Sequence, residues 1–405
     1  MKTSIYCGFD WASETHYFVI KNARGEQLTQ GSVTNSPAGF DTFIEALDQY
    51  RQGGSVALIV EANRGLPMNA LIDVQWIDLF PVNPLKTRRL NEVEGHVRQK
   101  SDPQDASILC DYLIRKHKDW KHHYVERHST YRQMKEFIGQ ETDLIHHIGQ
   151  ITQRLICHIN TFMPDLNRII PDIGKKVYLK YLMEFDPLKP APAEQIRTFL
   201  RANRVRNQET IETFIQGHLQ LRPLGKDKQY WSAQRDVLQA WARTLWGLRE
   251  SLEQCQKKIQ ELFATLPEAP IYLSMPGLGT TLAPRMACLF GSKPSERFLH
   301  KAQAQAFFGQ SPVTAQSGNL RIVSKRLNCH RFARHTCYLW VMALNRIPSC
   351  HWQRAFLKKH QQRGDKMPTR YRKLGTKMVA ILYQCLVTNQ LYQESIYRRN
   401  LQNAA

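Results

Sequence analysis

The chain has 405 residues, a formal net charge of +21 and 42% hydrophobic residues. That length suggests two or three domains of roughly 150 residues each, and the apolar fraction is enough for packed cores, which excludes a disordered chain. No run of about 18 uncharged apolar residues occurs, so no membrane-spanning helix and no membrane partner are expected; the N-terminus reaches Asp10 before any long apolar run forms, unlike a secretory signal.

In chain order, residues 4–9 form a short apolar strand ending at Asp10, and residues 16–21 form a second. Arg24-Gly25 offers a hairpin turn into a third strand near 27–33. Ser36-Pro37 opens a helix that carries Phe40, Phe43, Ile44 and Leu47 on one face. Residues 55–60 (Ser-Val-Ala-Leu-Ile-Val) are a continuous apolar strand, suited to burial on both faces of a sheet, and they end at Glu61. A helix at about 65–73 and a strand at about 74–82 follow. Three strands followed by alternating helix and strand predict a mixed α/β sheet with helices packed on it. Asp102 and Asp105 then stand three apart at the start of a further helix, on one face of it.

From 129 to 163 and from 226 to 266 the apolar residues recur at helical spacing, predicting two long amphipathic helices in a coiled coil or bundle. A helical insert separates them, interrupted by a loop at Pro187–Pro192. Thr265–Pro270 marks the next boundary. Beyond it lie Pro276-Gly277-Leu278-Gly279, helices near 280–290 and 300–308, a hairpin around Ser317-Gly318-Asn319, and helices near 328–345, 350–362 and 367–395. The glycine turn reads equally as an ordinary helix start or as a phosphate contact at a helix N-terminus. It lacks the pattern of a P-loop, so no ATP site is expected.

Nine dispersed cysteines without a CxxC pair argue for free thiols in a reducing cytoplasm. Cys329, His330, His335 and Cys337 fit no common zinc spacing. Charge is unevenly placed. Residues 321–400 hold 17 Lys and Arg against two acids, Asp365 and Glu394, whereas residues 1–110 are slightly acidic. Aromatic residues interleave with the basic block, so a folded, nucleic-acid-binding region is favoured over a merely solvated surface.

Asp10, Glu61 and Asp102 each have an ordinary structural role when taken singly: a turn, a strand end, a helix cap. Together with Asp105, on this strand order, they read as a nuclease-type site, because converging carboxylates stay ionised when divalent cations sit among them. Two such ions about 4 Å apart stabilise the attacking and leaving oxygens of a phosphoryl displacement. Ser317, in a Ser-Gly turn close to Arg321, Lys325, Arg326, Arg331 and Arg334, is either an ordinary turn residue or a nucleophile toward a DNA phosphate.

The chain resembles the DEDD-type transposases of the one-ten insertion-sequence family, the group guided by bridge RNA. The resemblance rests on Gly8-Phe9-Asp10, Val60-Glu61-Ala62, Val82-Asn83-Pro84, Lys100–Ala106, Met275–Gly279, Ala315–Gly318 and Ser324–Asn328. It departs from the family pattern at Glu14, Asn319 and Leu327 and in a longer insert around 165–225, with Ser311 as the second candidate serine. The resemblance implies a ribonuclease-H-like (RuvC-like) domain over 1–126, a coiled-coil domain with its insert over 127–268, and a mostly helical transposase domain over 269–405. It further implies that Asp10, Glu61, Asp102 and Asp105 bind Mg²⁺ or Mn²⁺, and that Ser317 forms a transient phosphoserine link to DNA. Donor and target DNA, a bridge RNA and a homo-oligomer (dimer or tetramer) are the implied partners, in a bacterial cytoplasm at the nucleoid. The competing readings are a metal-dependent nuclease or junction resolvase without a covalent intermediate, and a non-catalytic nucleic-acid binder.

Overall fold

The computed structural model describes residues 3–61, 66–82, 102–117, 124–189, 191–318 and 320–395. The chain forms two compact units: Met1–Tyr131 together with Leu289–Ala405, and Arg132–Cys288.

The first unit begins with β1 (Thr3–Asp10), β2 (Thr15–Asn22), β3 (Gln27–Thr34), α1 (Pro37–Arg51), β4 (Ser55–Val60), α2 (Leu66–Leu71) and β5 (Ile77–Pro81). These strands make one sheet in the order β3-β2-β1-β4-β5. β1, β2 and β3 run antiparallel to their neighbours, while β1, β4 and β5 run parallel. The mixed α/β expectation holds, and the strands fall within a few residues of those read from the sequence. α1 starts where Ser36 caps it by accepting from the Gly39 N–H. It ends at Gln52, in the left-handed region at φ 49°.

Every residue of β4 is buried, as its unbroken apolar run predicts. Its alternation separates two cores. Val56, Leu58 and Val60 join Cys7, Phe9, Phe40, Phe43 and Leu47 on one side of the sheet. Ala57 and Ile59 join Phe80, Leu109 and Leu113 on the other. The second side is covered by α3 (Asp102–Lys116).

The rest of this unit is mostly helical. It contains the exposed hairpin β6 (Val313–Ser317) and β7 (Leu320–Ser324), and the helices α14 (Arg331–Arg346), α15 (His351–Gln362) and α16 (Met367–Thr388). α14 begins three residues later than its apolar pattern suggested, because the His330 ring accepts the Ala333 N–H as its cap (3.2 Å). α16 stops at Thr388 rather than 395, because Asn389 turns left-handed at φ 52° and its N–H closes on the Cys385 carbonyl. Trp340, Leu374, Met378 and Leu382 are fully buried beneath these helices.

The second unit is built on the long helices α4 (Ser129–Phe162) and α9 (Lys228–Ala264), numbered after the shorter helices between them. The Cys255 thiol donates to the Phe137 carbonyl near one end, and His158 meets the Gln234 carbonyl near the other (2.9 Å), so the two helices run antiparallel. The insert's core holds Tyr181, Phe214, Leu238 and Leu245. Among the described residues no helix is long and apolar enough to cross a membrane.

Candidate active site

Strand alternation and register position the acidic residues. On β1, Ile5, Cys7 and Phe9 face α1, so Tyr6, Gly8 and Asp10 face α3. Gly8 touches that helix: a Cβ added there would sit 1.9 Å from the Ala106 carbonyl oxygen and 2.7 Å from the Cys110 nitrogen. Nearer the start of β1, the Cys110 thiol donates to the Tyr6 carbonyl (3.4 Å), and the Tyr6 hydroxyl meets His117 Nδ1 (3.2 Å). α3 therefore runs antiparallel to β1, and the direction from Tyr6 through Gly8 leads Asp10 toward the helix's first turn, where Asp105 lies.

Glu61 follows the same logic on the neighbouring strand. Phe9 pairs with Val60 in the parallel register, so Asp10 and Glu61 are the next residues on adjacent strands. Ala57 and Ile59 face α3, and Glu61 is the first residue beyond the end of β4. Asp10, Glu61 and Asp105 are each half-buried at the carboxyl end of the parallel strands. Asp102 opens α3, but its side chain lies outside the described residues, as do residues 83–84 and 100–101 of the sequence motifs. Among the described residues, no three His, Cys, Asp or Glu side chains stand grouped to hold a metal ion. The described candidates Asp10, Glu61 and Asp105 are all carboxylates, and carboxylate oxygens are hard ligands.

Two groups near this edge carry no obvious sequence signal. Lys21 of β2 is buried against α3, where it donates to both oxygens of Asp111 (2.7 Å each) and to the Ser107 hydroxyl (2.9 Å). This pairing ties the helix to the sheet within two turns of Asp105. His16, at the start of β2, is fully buried between Phe9 and Phe40; its Nδ1 accepts the Ala12 N–H (3.2 Å), and burial holds its pKa below the usual imidazole value.

Ser317 ends β6 and pairs with Leu320, so the strands are joined through a turn that begins at Gly318 with φ 55°. Both strands are exposed throughout. Cross-strand pairs share a face, which puts Ser317 with Val313, Ala315, Leu320 and Ile322. Arg321 pairs with Gln316 on the opposite face. Arg321, Lys325 and Arg331 are exposed, while Arg326 and Arg334 are half-buried. Arg326 Nε donates to the carbonyl of Ser311, which lies in the bend before β6, whereas Ser317 stands at the tip of the hairpin. Asn319 lies outside the described residues.

The same unit thus carries acidic residues at one end of a mixed sheet and a basic helical region with an exposed serine hairpin. A DEDD-type transposase family of IS110 matches residues 7–164, and the family described as Transposase IS116/IS110/IS902 matches residues 269–358. Together they cover more than half of the chain. The chain belongs to the IS110 family of insertion-sequence transposases. It is 23% identical over 403 residues to a Streptomyces coelicolor mini-circle protein named as a candidate transposase for IS117, covering 96% of each chain. The 42 kDa protein of insertion element IS900 from Mycobacterium paratuberculosis is 22% identical over 404 residues, covering 97% of this chain and 98% of that one. The 44.8 kDa protein of IS116 from Streptomyces clavuligerus is 24% identical over 323 residues, covering 78% and 77%.

Proposed function

We propose that the protein cuts and rejoins DNA by phosphoryl transfer from a ribonuclease-H-like (RuvC-like) acidic site and a serine nucleophile. The observation that supports the reading is that Asp10 ends β1 and Glu61 directly follows the adjacent parallel strand β4, in register with one another, on a sheet covered by the helix whose first turn bears Asp105. Asp10, Glu61, Asp102 and Asp105 would hold Mg²⁺ or Mn²⁺, which when bound neutralises charge on phosphoryl oxygens.

Ser317 attacks a DNA phosphate: the Oγ–P bond forms, a sugar O–P bond breaks, and the serine proton ends on the released sugar hydroxyl. One phosphodiester is exchanged for another, so the step conserves the bond for rejoining. Arg321, Lys325, Arg326, Arg331 and Arg334 neutralise backbone phosphates around it. The apolar face around Ser317 is too exposed to be stable alone, because an isolated two-stranded hairpin is marginal in water. Cover from DNA or from a second subunit accords with action as a dimer or tetramer. The lack of any helix-turn-helix or finger signature accords with sequence choice by a pairing bridge RNA.

The test is cleavage of the element's end DNA in Mg²⁺ with the flanking RNA transcript. Asp10→Asn, Glu61→Gln and Ser317→Ala should each abolish cleavage while leaving DNA binding intact. Cleavage retained by Ser317→Ala and lost in Asp10→Asn would replace this mechanism by metal-dependent hydrolysis. Cleavage retained by both would remove the acidic site as well.

A further inference from the structure

α14, α15 and the start of α16 line an open cavity of about 460 Å³ that contains none of the acidic residues or the serine hairpin. One wall is a single face of α15, on which His351, Arg354, Lys358 and Gln361 recur three or four residues apart. Arg370 and Tyr371, from the first turns of α16, close the other side. The positive end of that helix's dipole lies at the same place. Leu357 and Tyr371, 4% and 9% exposed, supply an apolar and aromatic floor.

No carboxylate lines the cavity. The nearest acid along the chain, Asp365, is taken by Lys373 (2.6 Å) and His360 (2.7 Å). Arg354, Lys358 and Arg370 have no carboxylate partner among the described residues. Arg370 donates to Gln361 Oε1 (2.5 Å), while its Nε is buried without a hydrogen-bond partner. Three unopposed cations above an aromatic floor match a phosphate joined to a flat ring. The volume lies within the range of about 300–1,000 Å³ typical of small-ligand sites.

We propose that this cavity takes one nucleotide of a single-stranded nucleic acid, with its phosphate against Arg354, Lys358 and Arg370 and its base or sugar against Tyr371 and Leu357. A strand is favoured over a free nucleotide because residues 321–400 hold 17 Lys and Arg against two acids, so neighbouring phosphates also find cations. The inference rests on the nucleic-acid binding proposed above, and not on the chemistry at Asp10 or Ser317.

The test is fluorescence anisotropy of the full chain in EDTA, with a labelled single strand of roughly 15 nucleotides, near the top of the site sizes of single-strand binders. Arg354→Glu/Lys358→Glu is compared with Arg363→Glu/Lys366→Glu, which makes the same charge change outside the cavity. The cavity pair should weaken binding about ten-fold more than the control pair, and should lower the slope of log K against log salt by about 0.7, the value for one lost phosphate contact. Equal losses in the two pairs would overturn the inference. Thermal melting checks folding, and Arg354→Gln/Lys358→Gln replaces the cavity pair if that pair melts early.

Adenosine monophosphate and inorganic phosphate serve as competitors. Their binding at the cavity, with strand affinity unchanged in the cavity variant, would assign the site to free nucleotides and overturn the proposal. A wild-type chain that binds no strand even at low salt would sink the nucleic-acid reading itself. A strand bound equally by wild type and cavity variant would sink only the cavity.

Discussion

Replacing Gly8 by alanine tests whether the contact between α3 and β1 sets the acidic edge. Gly8 lies in regular strand, paired with Val19 and Ile59, so its own backbone conformation tolerates a side chain. The obstacle is space. The added methyl would lie 1.9 Å from the Ala106 oxygen, a backbone atom that no rotamer change can move, and 2.7 Å from the Cys110 nitrogen. A tolerable contact requires α3 to shift outward by about 1 Å or more, carrying the turn that holds Asp105 with it. Overpacking of this kind costs about 1–3 kcal/mol, and each kcal/mol lowers Tm by roughly 2–4 °C in a unit of this size. A displacement of about 1 Å at a reacting centre costs on the order of 10²-fold in rate. Gly8→Ala should therefore lose a few degrees in thermal melting and about two orders of magnitude in DNA cleavage, while binding DNA as before. Ala106→Gly should not rescue it, since the clash is with a main-chain oxygen. A Gly8→Ala protein with wild-type Tm and cleavage would refute the placement of α3 against β1.

Arg285 donates through two nitrogens to Glu141 (2.8 and 3.0 Å), both side chains being buried, and Gln256 satisfies the other carboxylate oxygen (3.1 Å). Arg285→Met strands a buried carboxylate and should cost about 3–5 kcal/mol in urea unfolding, most of it recovered in Glu141→Leu/Arg285→Met; an unaffected single variant would contradict the pairing. His16 and His218 are buried, their pKa values are lowered by burial, and each uses a ring nitrogen to accept a backbone N–H, from Ala12 and Ala191. The unfolded chain then protonates first, so stability is full above about pH 6.5 and falls as the pH drops through that value toward the folded pKa. His218→Gln should flatten part of that fall in urea midpoints, and an unchanged slope would show that the ring is not held neutral. Cys157 is exposed, whereas burial pushes the Cys110 thiol up to about 12. A disulfide reagent should label Cys157 in the native protein and reach Cys110 only after denaturation; early labelling of Cys110 would place it nearer solvent than described.

Much of the fold was legible because its elements follow simple periodicities. The unbroken run of β4, the Ser36-Pro37 start of α1 and the two long amphipathic helices all fall within a few residues of their sequence-read bounds. The ends that moved did so through local caps, His330 and Asn389, whose geometry depends on neighbours that periodicity does not see. At the candidate site, Asp10 and Glu61 were legible because one ends a strand and the other directly follows one, and β1 pairs with β4 in parallel up to Phe9 and Val60. The Lys21–Asp111 pair was not legible, since nothing in the sequence brings residues 90 apart together. Nor was the separation of Ser317 from Arg321, which follows from cross-strand pairing rather than from their closeness in sequence. The cationic cavity did leave a trace, the three-or-four-residue recurrence of His351, Arg354, Lys358 and Gln361, but a solvated basic helix face has the same pattern.

The most direct test of the central claim is the identity of the atom that holds cut DNA. The full chain would be incubated with Mg²⁺, end DNA and the flanking RNA transcript, denatured and digested, and the DNA-linked peptide sequenced by mass spectrometry. The account predicts a phosphodiester on Ser317, absent from Ser317→Ala and from Asp10→Asn. Cut DNA with free ends and no linked peptide, or a link at Ser311 or Ser324, would contradict it.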